Sequence, residues 1–262
     1  MTDELLAHND AGEGPVLVLL HGHPFDRRMW APQLRSLSAG FRVLAPDLPG
    51  YGGSPPRGPK VTMGEFAGAV QGFIDALGVA RAIIVGLSMG GLVAMELGLG
   101  APDRVAGVVL AATTAAPVTP TEAAERRETA DRLERDGMLD LTLEMAAKLF
   151  GPAARRTPDI VEPVVSMMLR TPPAGAAAAL RGRAERPDYR ALLPGLQVPA
   201  LVIAGDHDAY ADEAVVNELV SALPDPDVVR LRGTGHLPNL EAPAAFDQAV
   251  RSYASRLLQT ES

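Results

Sequence analysis

The sequence predicts an α/β fold built on a mostly parallel sheet of about seven strands, flanked by helices. Continuous apolar runs are typical of strands that are buried on both faces of a parallel sheet. Helical patterns lie between most of these runs, and alternating strands and helices form parallel sheets with right-handed crossovers. The short apolar runs are at 16–20, 41–45, 82–85, 105–110, 200–204 and 228–231.

The helices are predicted from the spacing of apolar residues. Phenylalanine, valine, isoleucine and leucine recur at helical spacing over 63–77. A second helix is expected from Met89 to about Gly98, and a last one over 244–258. Each of these helices follows or precedes one of the apolar runs, as the alternating pattern requires.

One stretch, 115–193, interrupts the alternation, because it contains helical patterns and no convincing strand. Thr119-Pro120-Thr121-Glu122 is a capping box with proline at the first helical position, and this helix should end near Gly137. A second helix is expected over 139–150, and two later Thr-Pro pairs predict further starts. The predicted division is a core domain of residues 1–114 and 194–262 and a helical cap, or lid, of residues 115–193.

Composition and charge restrict the possible functions. The chain of 262 residues has no cysteine, which excludes disulfides, cysteine–zinc sites and cysteine nucleophiles. A formal net charge of −8 disfavours a nucleic-acid partner or an anionic membrane surface. No apolar run is long enough to span a membrane, and the acidic start lacks the basic residues of a secretory signal. A cytoplasmic location is therefore the default expectation.

The motif Gly86-Leu87-Ser88-Met89-Gly90 is the strongest local signal of chemistry. It matches G-x-S-x-G and lies between an apolar run and a helical pattern. A serine in a tight turn between strand and helix has strained backbone angles, and the flanking glycines remove the clashes that side chains would cause. Its Oγ would stand at the carboxyl edge of the sheet, where open α/β sheets bind ligands. We predict that Ser88 is a nucleophile.

The turn His21-Gly22-His23-Pro24 follows the first apolar run and predicts an oxyanion hole. Acyl transfer places negative charge on the former carbonyl oxygen, and backbone N–H groups aimed at that oxygen stabilise it. Met89, at a helix start, offers one N–H. His23 offers the second, because Pro24 biases it toward an extended conformation and has no N–H of its own.

Two later strand ends supply candidates for the base and the acid. Asp206-His207-Asp208 and Gly235-His236 each follow an apolar run. A serine nucleophile needs a base, and the base needs an acid that orients its imidazole. His236 is the predicted base. Either Asp206 or Asp208 could be the acid, and we choose Asp208 because it lies further past the strand end.

The motifs of this chain, taken in order, resemble those of the α/β-hydrolase superfamily from about Glu4 to Leu257. Within it, the lid and the stretch 29–34 are similar to bacterial carboxylesterases and 3-oxoadipate enol-lactonase-like hydrolases. The resemblance implies the α/β-hydrolase fold, the triad and oxyanion hole described above, and no cofactor or metal. The motifs are His21-Gly22-His23-Pro24, Asp47-Leu48-Pro49-Gly50-Tyr51-Gly52-Gly53-Ser54, Gly86-Leu87-Ser88-Met89-Gly90-Gly91, Gly205-Asp206-His207-Asp208 and Gly235-His236.

The N-terminus departs from the superfamily pattern. Members usually begin with a two-strand hairpin, whereas only about a dozen residues precede Gly14 here, enough for one strand near 4–8. We therefore expect one edge strand to be missing and the sheet to have seven strands. Its exposed edge offers a surface for pairing between subunits, which leaves a homo-oligomer open.

The expected function is hydrolysis of a carboxylic ester or lactone of a small to medium, largely apolar substrate through an acyl-enzyme intermediate. The serine argues against the superfamily's epoxide hydrolases and haloalkane dehalogenases, which have an aspartate nucleophile. The same triad would serve a cofactor-free perhydrolase (haloperoxidase) or a C–C bond hydrolase. A non-enzymatic ligand-binding member of the fold is another alternative. No nucleic-acid or membrane partner is expected.

A metal-dependent hydrolase is the last alternative, with His21, His23 and Asp26 joined by the 206–208 motif. The usual continuation with an Asp-His pair is absent, since Arg27 follows Asp26. The pocket is expected to be apolar, and the His23 side chain could either contact substrate or face solvent. The candidate lining residues are Phe25 and Trp30 near the oxyanion turn, Met145 and Leu149 in the lid, and Leu237 beside the base.

Overall fold

The computed structural model describes residues 5–260, which form a central sheet of seven strands. The strands are β1 (His8–Ala11), β2 (Val16–Leu20), β3 (Arg42–Pro46), β4 (Ala82–Leu87), β5 (Val105–Ala111), β6 (Ala200–Gly205) and β7 (Asp227–Leu231). Their order in the sheet is β1-β3-β2-β4-β5-β6-β7. All neighbouring pairs are parallel except β1 and β3, which are antiparallel. The predicted mostly parallel, seven-stranded sheet is confirmed.

The helices flank this sheet, and five of them lie between β5 and β6. These five occupy the segment 115–193, in which no strand is present. The helices of residues 5–260 are α1 (Ala31–Leu37), α2 (Met63–Ala76), α3 (Met89–Gly100), α4 (Pro120–Asp136), α5 (Leu139–Leu149), α6 (Pro158–Leu169), α7 (Pro173–Arg183), α8 (Tyr189–Leu192), α9 (Glu213–Ala222), α10 (Pro238–Glu241) and α11 (Pro243–Thr260). None of them combines the length and apolarity needed to cross a bilayer.

The first strand lies further along the chain than the sequence predicts. It begins at His8 rather than near residue 4, which lies outside the described residues. β1 pairs along one edge only, and two of its four residues are exposed. Its sequence therefore contains no continuous apolar run from which its position could be predicted. Leu6, which the prediction placed in the strand, is instead buried in the core just before it.

Two hydrophobic clusters, one on each face of the sheet, form the core. Adjacent residues of a strand alternate between them: Leu17 belongs to one cluster and Val18 to the other. Helices α2 and α3 cover one face, and α1 and α11 cover the other. Because both faces are covered, the interior strands are apolar except for Arg42 at the start of β3, as the sequence pattern predicts.

Candidate active site

The carboxyl ends of four parallel strands converge beside one cavity of about 490 Å³. His23 follows β2, Ser88 follows β4, Asp208 follows β6 and His236 follows β7. Ser88, His23 and His236 line the cavity, and residues of α4, α5 and α7 close it from the opposite side. The topology therefore brings residues that are far apart in sequence to one edge of the sheet.

Ser88 occupies a sharp turn between β4 and α3. Its backbone has φ 54° and ψ −112°, a conformation that costs a non-glycine residue free energy. Hydrogen bonds on both sides fix this turn: the Ser88 N–H donates to Ala111 O at 2.8 Å, and the Ser88 carbonyl accepts from Gly91 N at 2.9 Å. The Thr113 hydroxyl donates to the same carbonyl at 2.8 Å. The serine is thus held half-exposed at the wall of the cavity.

The glycines of the motif are required by close backbone contacts. A Cβ added to Gly86 would collide with the carbonyl of Gly90, and a Cβ added to Gly90 would collide with the carbonyl of Leu20. The start of α3 therefore lies directly against the ends of β4 and β2. This close approach sets the N-terminus of α3, with its favourable potential for negative charge, beside Ser88.

The imidazole of His236 is paired with Asp208. His236 Nδ1 lies 2.9 Å from each oxygen of the Asp208 carboxylate. The two side chains are only 5% and 1% exposed, respectively. Burial by itself would raise the pKa of Asp208, but the contacts with His236 and with the N–H groups of Tyr210 and Ala211 outweigh burial and lower it. The ionised carboxylate accepts the Nδ1 proton, which leaves His236 Nε2 as a hydrogen-bond acceptor.

Asp206 lies in a different environment from Asp208. Its carboxylate is exposed and accepts a hydrogen bond from Gly233 N at 2.7 Å, within the loop after β7. It makes no contact with His236 among the bonds of the described residues. Of the two aspartates that the sequence left open, the structure brings Asp208 to the histidine.

Ser88 and His236 share the cavity wall, but no hydrogen bond joins their side chains in the described part of the chain. Such contacts in a substrate-free site are often long and shorten only when the substrate is bound. The Tyr210 ring packs on the His236 imidazole with a centroid separation of 4.9 Å and restricts its position.

The two predicted oxyanion donors, His23 N–H and Met89 N–H, have no hydrogen-bond acceptor among residues 5–260. The side chain of His23 is fixed by a 2.8 Å hydrogen bond between Nδ1 and Tyr51 Oη. Its Nε2 is buried without a partner, although the residue lines the cavity. Burial, with nearby Arg183 adding to it, holds the pKa of His23 well below its usual value, so the ring is neutral.

His21 supports the fold of this edge rather than a metal site. Its Nε2 accepts the Leu48 N–H at 2.9 Å, and its Nδ1 lies 2.9 Å from the Gly22 carbonyl. Both ring nitrogens are therefore engaged, and Asp26 is paired with Arg28. Within the described residues, no group of three His, Cys, Asp or Glu side chains is arranged to hold a metal ion.

The cavity lining differs from the predicted apolar pocket. Met145 lines it, but Phe25, Trp30, Leu149 and Leu237 do not, because all four are fully buried in the hydrophobic core. These apolar side chains gain more from packing under the site than from exposure to it. Half of the lining is instead polar or charged. The charged lining residues are Glu122, Glu125, Arg126, Glu144, Lys148, Arg183 and Arg186.

Glu241, which the sequence did not single out, organises the loop that carries His236. Its carboxylate accepts the N–H groups of Gly235 at 3.0 Å and Leu237 at 3.2 Å, on either side of the histidine. It also accepts Gly151 N at 2.8 Å, from the end of α5. The only sequence signal for this role is the position of Glu241 in the first turn of a helix, here α10. Acidic residues are common at that position, so the signal does not single out Glu241.

Comparison with known proteins places these features in a family. The family model described as alpha/beta hydrolase fold matches residues 15–243. A pimeloyl-[acyl-carrier protein] methyl ester esterase from Aromatoleum aromaticum is 32% identical over 244 residues, covering 87% of this chain and 94% of that protein.

Two solved structures are similar over nearly the whole chain. A thermophilic esterase from Thermogutta terrifontis superposes with a TM-score of 0.94 at 37% identity, covering 96% of this chain and 93% of that one. An enol-lactonase from Burkholderia xenovorans superposes with a TM-score of 0.88 at 33% identity, covering 95% and 96% of the two chains. The resemblance inferred from the sequence motifs is confirmed, and the chain belongs to the α/β-hydrolase fold family.

Proposed function

We propose that this protein is a serine hydrolase that cleaves a carboxylic ester or lactone, with Ser88 as nucleophile, His236 as base and Asp208 as the acid that orients it. The observation that carries the proposal is the buried pair of His236 and Asp208, set beside a serine at a strained elbow in the wall of the same cavity. The similarity to an esterase and an enol-lactonase supports the same class of reaction.

The proposed mechanism gives each of these groups one role. His236 Nε2 accepts the Ser88 Oγ proton as Oγ forms a bond to the carbonyl carbon of the substrate. The N–H groups of His23 and Met89 stabilise the negative charge that develops on the former carbonyl oxygen. His236 then returns the proton to the leaving oxygen, and the C–O bond breaks to leave the acyl-enzyme. Water, deprotonated by the same nitrogen, releases the acid and regenerates Ser88.

The helical segment 115–193 acts as the cap in this proposal. Helices α4, α5 and α7 supply the side of the cavity that faces Ser88. A cap of this kind limits the entry of water and selects the substrate, while the sheet edge carries the chemistry. The sequence suggested a largely apolar substrate. Because the lining carries both positive and negative charges, we propose instead a substrate that has polar or charged groups.

The test is labelling by a fluorophosphonate, followed by identification of the modified peptide. The label should lie on Ser88, and Ser88→Ala should lower kcat for p-nitrophenyl esters by roughly 10⁴-fold. Ser252→Ala, on the exposed surface of α11, is the matched control and should retain full activity. Near-full activity in Ser88→Ala, or labelling at another serine, would refute the proposal.

A further inference from the structure

Three arginines line the cap side of the cavity. Arg126 belongs to α4, Arg183 is the last residue of α7, and Arg186 follows shortly after it. All three are half-buried. Guanidinium groups in such a position either form ion pairs with carboxylates of the protein or bind an anionic ligand. Their hydrogen bonds distinguish the two cases.

The cavity arginines have few partners. Arg183 Nε and Arg126 Nη1 are buried without a hydrogen bond, whereas Arg186 donates to the carbonyl of Ala116 at 3.0 and 3.1 Å. None of the three forms an ion pair within residues 5–260. Unpaired buried N–H groups of a cation cost free energy, which an anionic ligand would recover.

Arg181, on the same helix as Arg183, shows what a structural arginine does here. It donates to Asp131 and Glu134 of α4, each at 2.7 Å. Residues two apart on a helix lie on nearly opposite faces, so Arg181 joins α7 to α4 at the surface while Arg183 lines the cavity. The protein therefore pairs the outward arginine and leaves the inward one without a carboxylate.

The position of Arg183 is fixed by the packing of α7 on the core. Gly175 contacts the backbone of Gly50, and Gly182 contacts that of Val61, so closely that neither has room for a Cβ. Arg183 lines the same cavity as His23 of the proposed oxyanion turn, and its charge helps to lower the pKa of His23. The close backbone contacts of α7 thus hold Arg183 in the wall of the cavity that Ser88 lines.

The charges around the cavity point to a ligand with one negative charge. Burial lowers the pKa of Arg183 to about 9 and that of Arg186 to about 10, with Arg126 adding to both, so these two remain protonated at neutral pH. A guanidinium is not deprotonated in proteins under ordinary conditions, and Arg126 is counted as a cation on that ground. The lining has four cations against three glutamates, a net of one positive charge. A carboxylate matches this charge, and its two oxygens fit the planar fork of a guanidinium.

We propose that the substrate of this site carries a free carboxylate in addition to its ester or lactone group, and that Arg126 and Arg183 bind it, with Arg186 adding its charge. The inference rests on the proposed function, since it names the substrate class of the same serine hydrolase. The proposal predicts that the cap favours an anionic substrate over a neutral one when the ester groups of the two are equally reactive toward Ser88.

The kinetic test compares two p-nitrophenyl esters: the half-ester of adipic acid, and the same ester with its free carboxylate replaced by a carboxamide. The wild-type kcat/KM should be at least tenfold higher for the carboxylate. Arg183→Met and Arg126→Met should each lower the ratio of kcat/KM for the carboxylate ester to that for the carboxamide ester to within about twofold of one. This ratio is measured within each variant, so a general loss of activity cancels. Arg127→Met is the matched control, because this neighbour of Arg126 is exposed and outside the cavity.

A binding measurement separates this inference from the proposed function. Adipate should bind to the Ser88→Ala protein in calorimetry, and Ser88→Ala/Arg183→Met, checked for folding by circular dichroism, should lose that binding at least tenfold. Turnover that depends on Ser88 but shows no preference for the carboxylate would overturn the carboxylate site alone. A preference that survives both arginine variants, or adipate binding that does not change, would overturn it as well. Hydrolysis that is independent of Ser88 would instead refute the proposed function.

Discussion

The substitution Asp208→Asn tests the proposed triad most directly, because its effect on His236 follows from individual hydrogen bonds. Asp208 Oδ1 accepts the backbone N–H groups of Tyr210 at 2.8 Å and Ala211 at 3.1 Å. An asparagine must keep its carbonyl oxygen at this position, since an amide NH₂ would face two donors. The NH₂ group therefore takes the place of Oδ2 and donates to His236 Nδ1.

This reversal moves the imidazole proton to Nε2, where it blocks the transfer from Ser88. Inversion of the tautomer in a serine triad lowers kcat roughly 10⁴-fold, which corresponds to about 5.5 kcal/mol of activation free energy. The fold should change much less, because asparagine has the shape of aspartate. Loss of the charge on these hydrogen bonds costs about 1.5 kcal/mol, or roughly 3–6 °C in melting temperature.

The assay is steady-state hydrolysis of a p-nitrophenyl ester, with the melting temperature measured on the same samples. Asp206→Asn is the matched control, because Asp206 is exposed and its carboxylate accepts the N–H of Gly233, in the loop after β7, rather than pairing with His236. It should retain activity within about threefold. If Asp208→Asn kept kcat within tenfold, or if Asp206→Asn were the more damaging change, the assignment of the acid would be wrong.

Three further predictions concern the fold around the site. Gly90→Ala should lower the free energy of unfolding by about 3 kcal/mol in urea, because its Cβ would meet a backbone carbonyl. Gly68→Ala, in open space on α2, is the control and should raise it by about 1 kcal/mol. Equal effects of the two substitutions would contradict the close contact. Glu241→Gln keeps one acceptor for three N–H groups, so thermal melts should show a loss of about 2 kcal/mol, and an unchanged melting temperature would exclude its role. His21 and His23 have lowered pKa values because they are buried, so they stay neutral in the fold while the unfolded chain takes up protons below about pH 6.5. Their contribution to stability is therefore complete above that pH and falls below it, by up to about 1.4 kcal/mol per pH unit for each histidine. Urea unfolding at pH 7 and pH 5 measures this loss, and a flat profile would refute it.

The features that the sequence predicts well are those that depend on neighbours along the chain. The apolar runs became strands of the sheet, and those of the interior strands are buried on both faces, whereas the edge strand β7 is mostly exposed. The capping box at Thr119 is present, with Glu122 N donating to the threonine hydroxyl and Thr119 N donating to the glutamate carboxylate. Gly86 is required by its contact with the Gly90 carbonyl within a single strand–turn–helix unit. Such features can be predicted from residues that are close in the sequence, without knowledge of the tertiary packing.

The cavity could not be predicted in the same way, because its lining depends on how the helices of 115–193 pack on the sheet edge. Apolar residues beside the motifs, such as Leu149 and Leu237, were expected to face substrate but are buried in the core. In sequence, Arg181 and Arg183 are two arginines on one short helix and look alike. Only the contacts of α7 with α4 and with the core show that one is paired at the surface and the other lines the cavity.

His23 lines the same cavity as Arg183 and lies in the proposed oxyanion turn. Its N–H is one of the two proposed oxyanion donors, its Nδ1 is held by Tyr51, and its ring is kept neutral by burial and by the positive charge of Arg183. A cation that lowers the pKa of this ring also favours negative charge near Ser88. A carboxylate bound at Arg183 would neutralise part of that potential. Loss of the Arg183 charge should therefore lower kcat more for the neutral carboxamide ester than for the carboxylate ester, and it should raise KM mainly for the carboxylate ester.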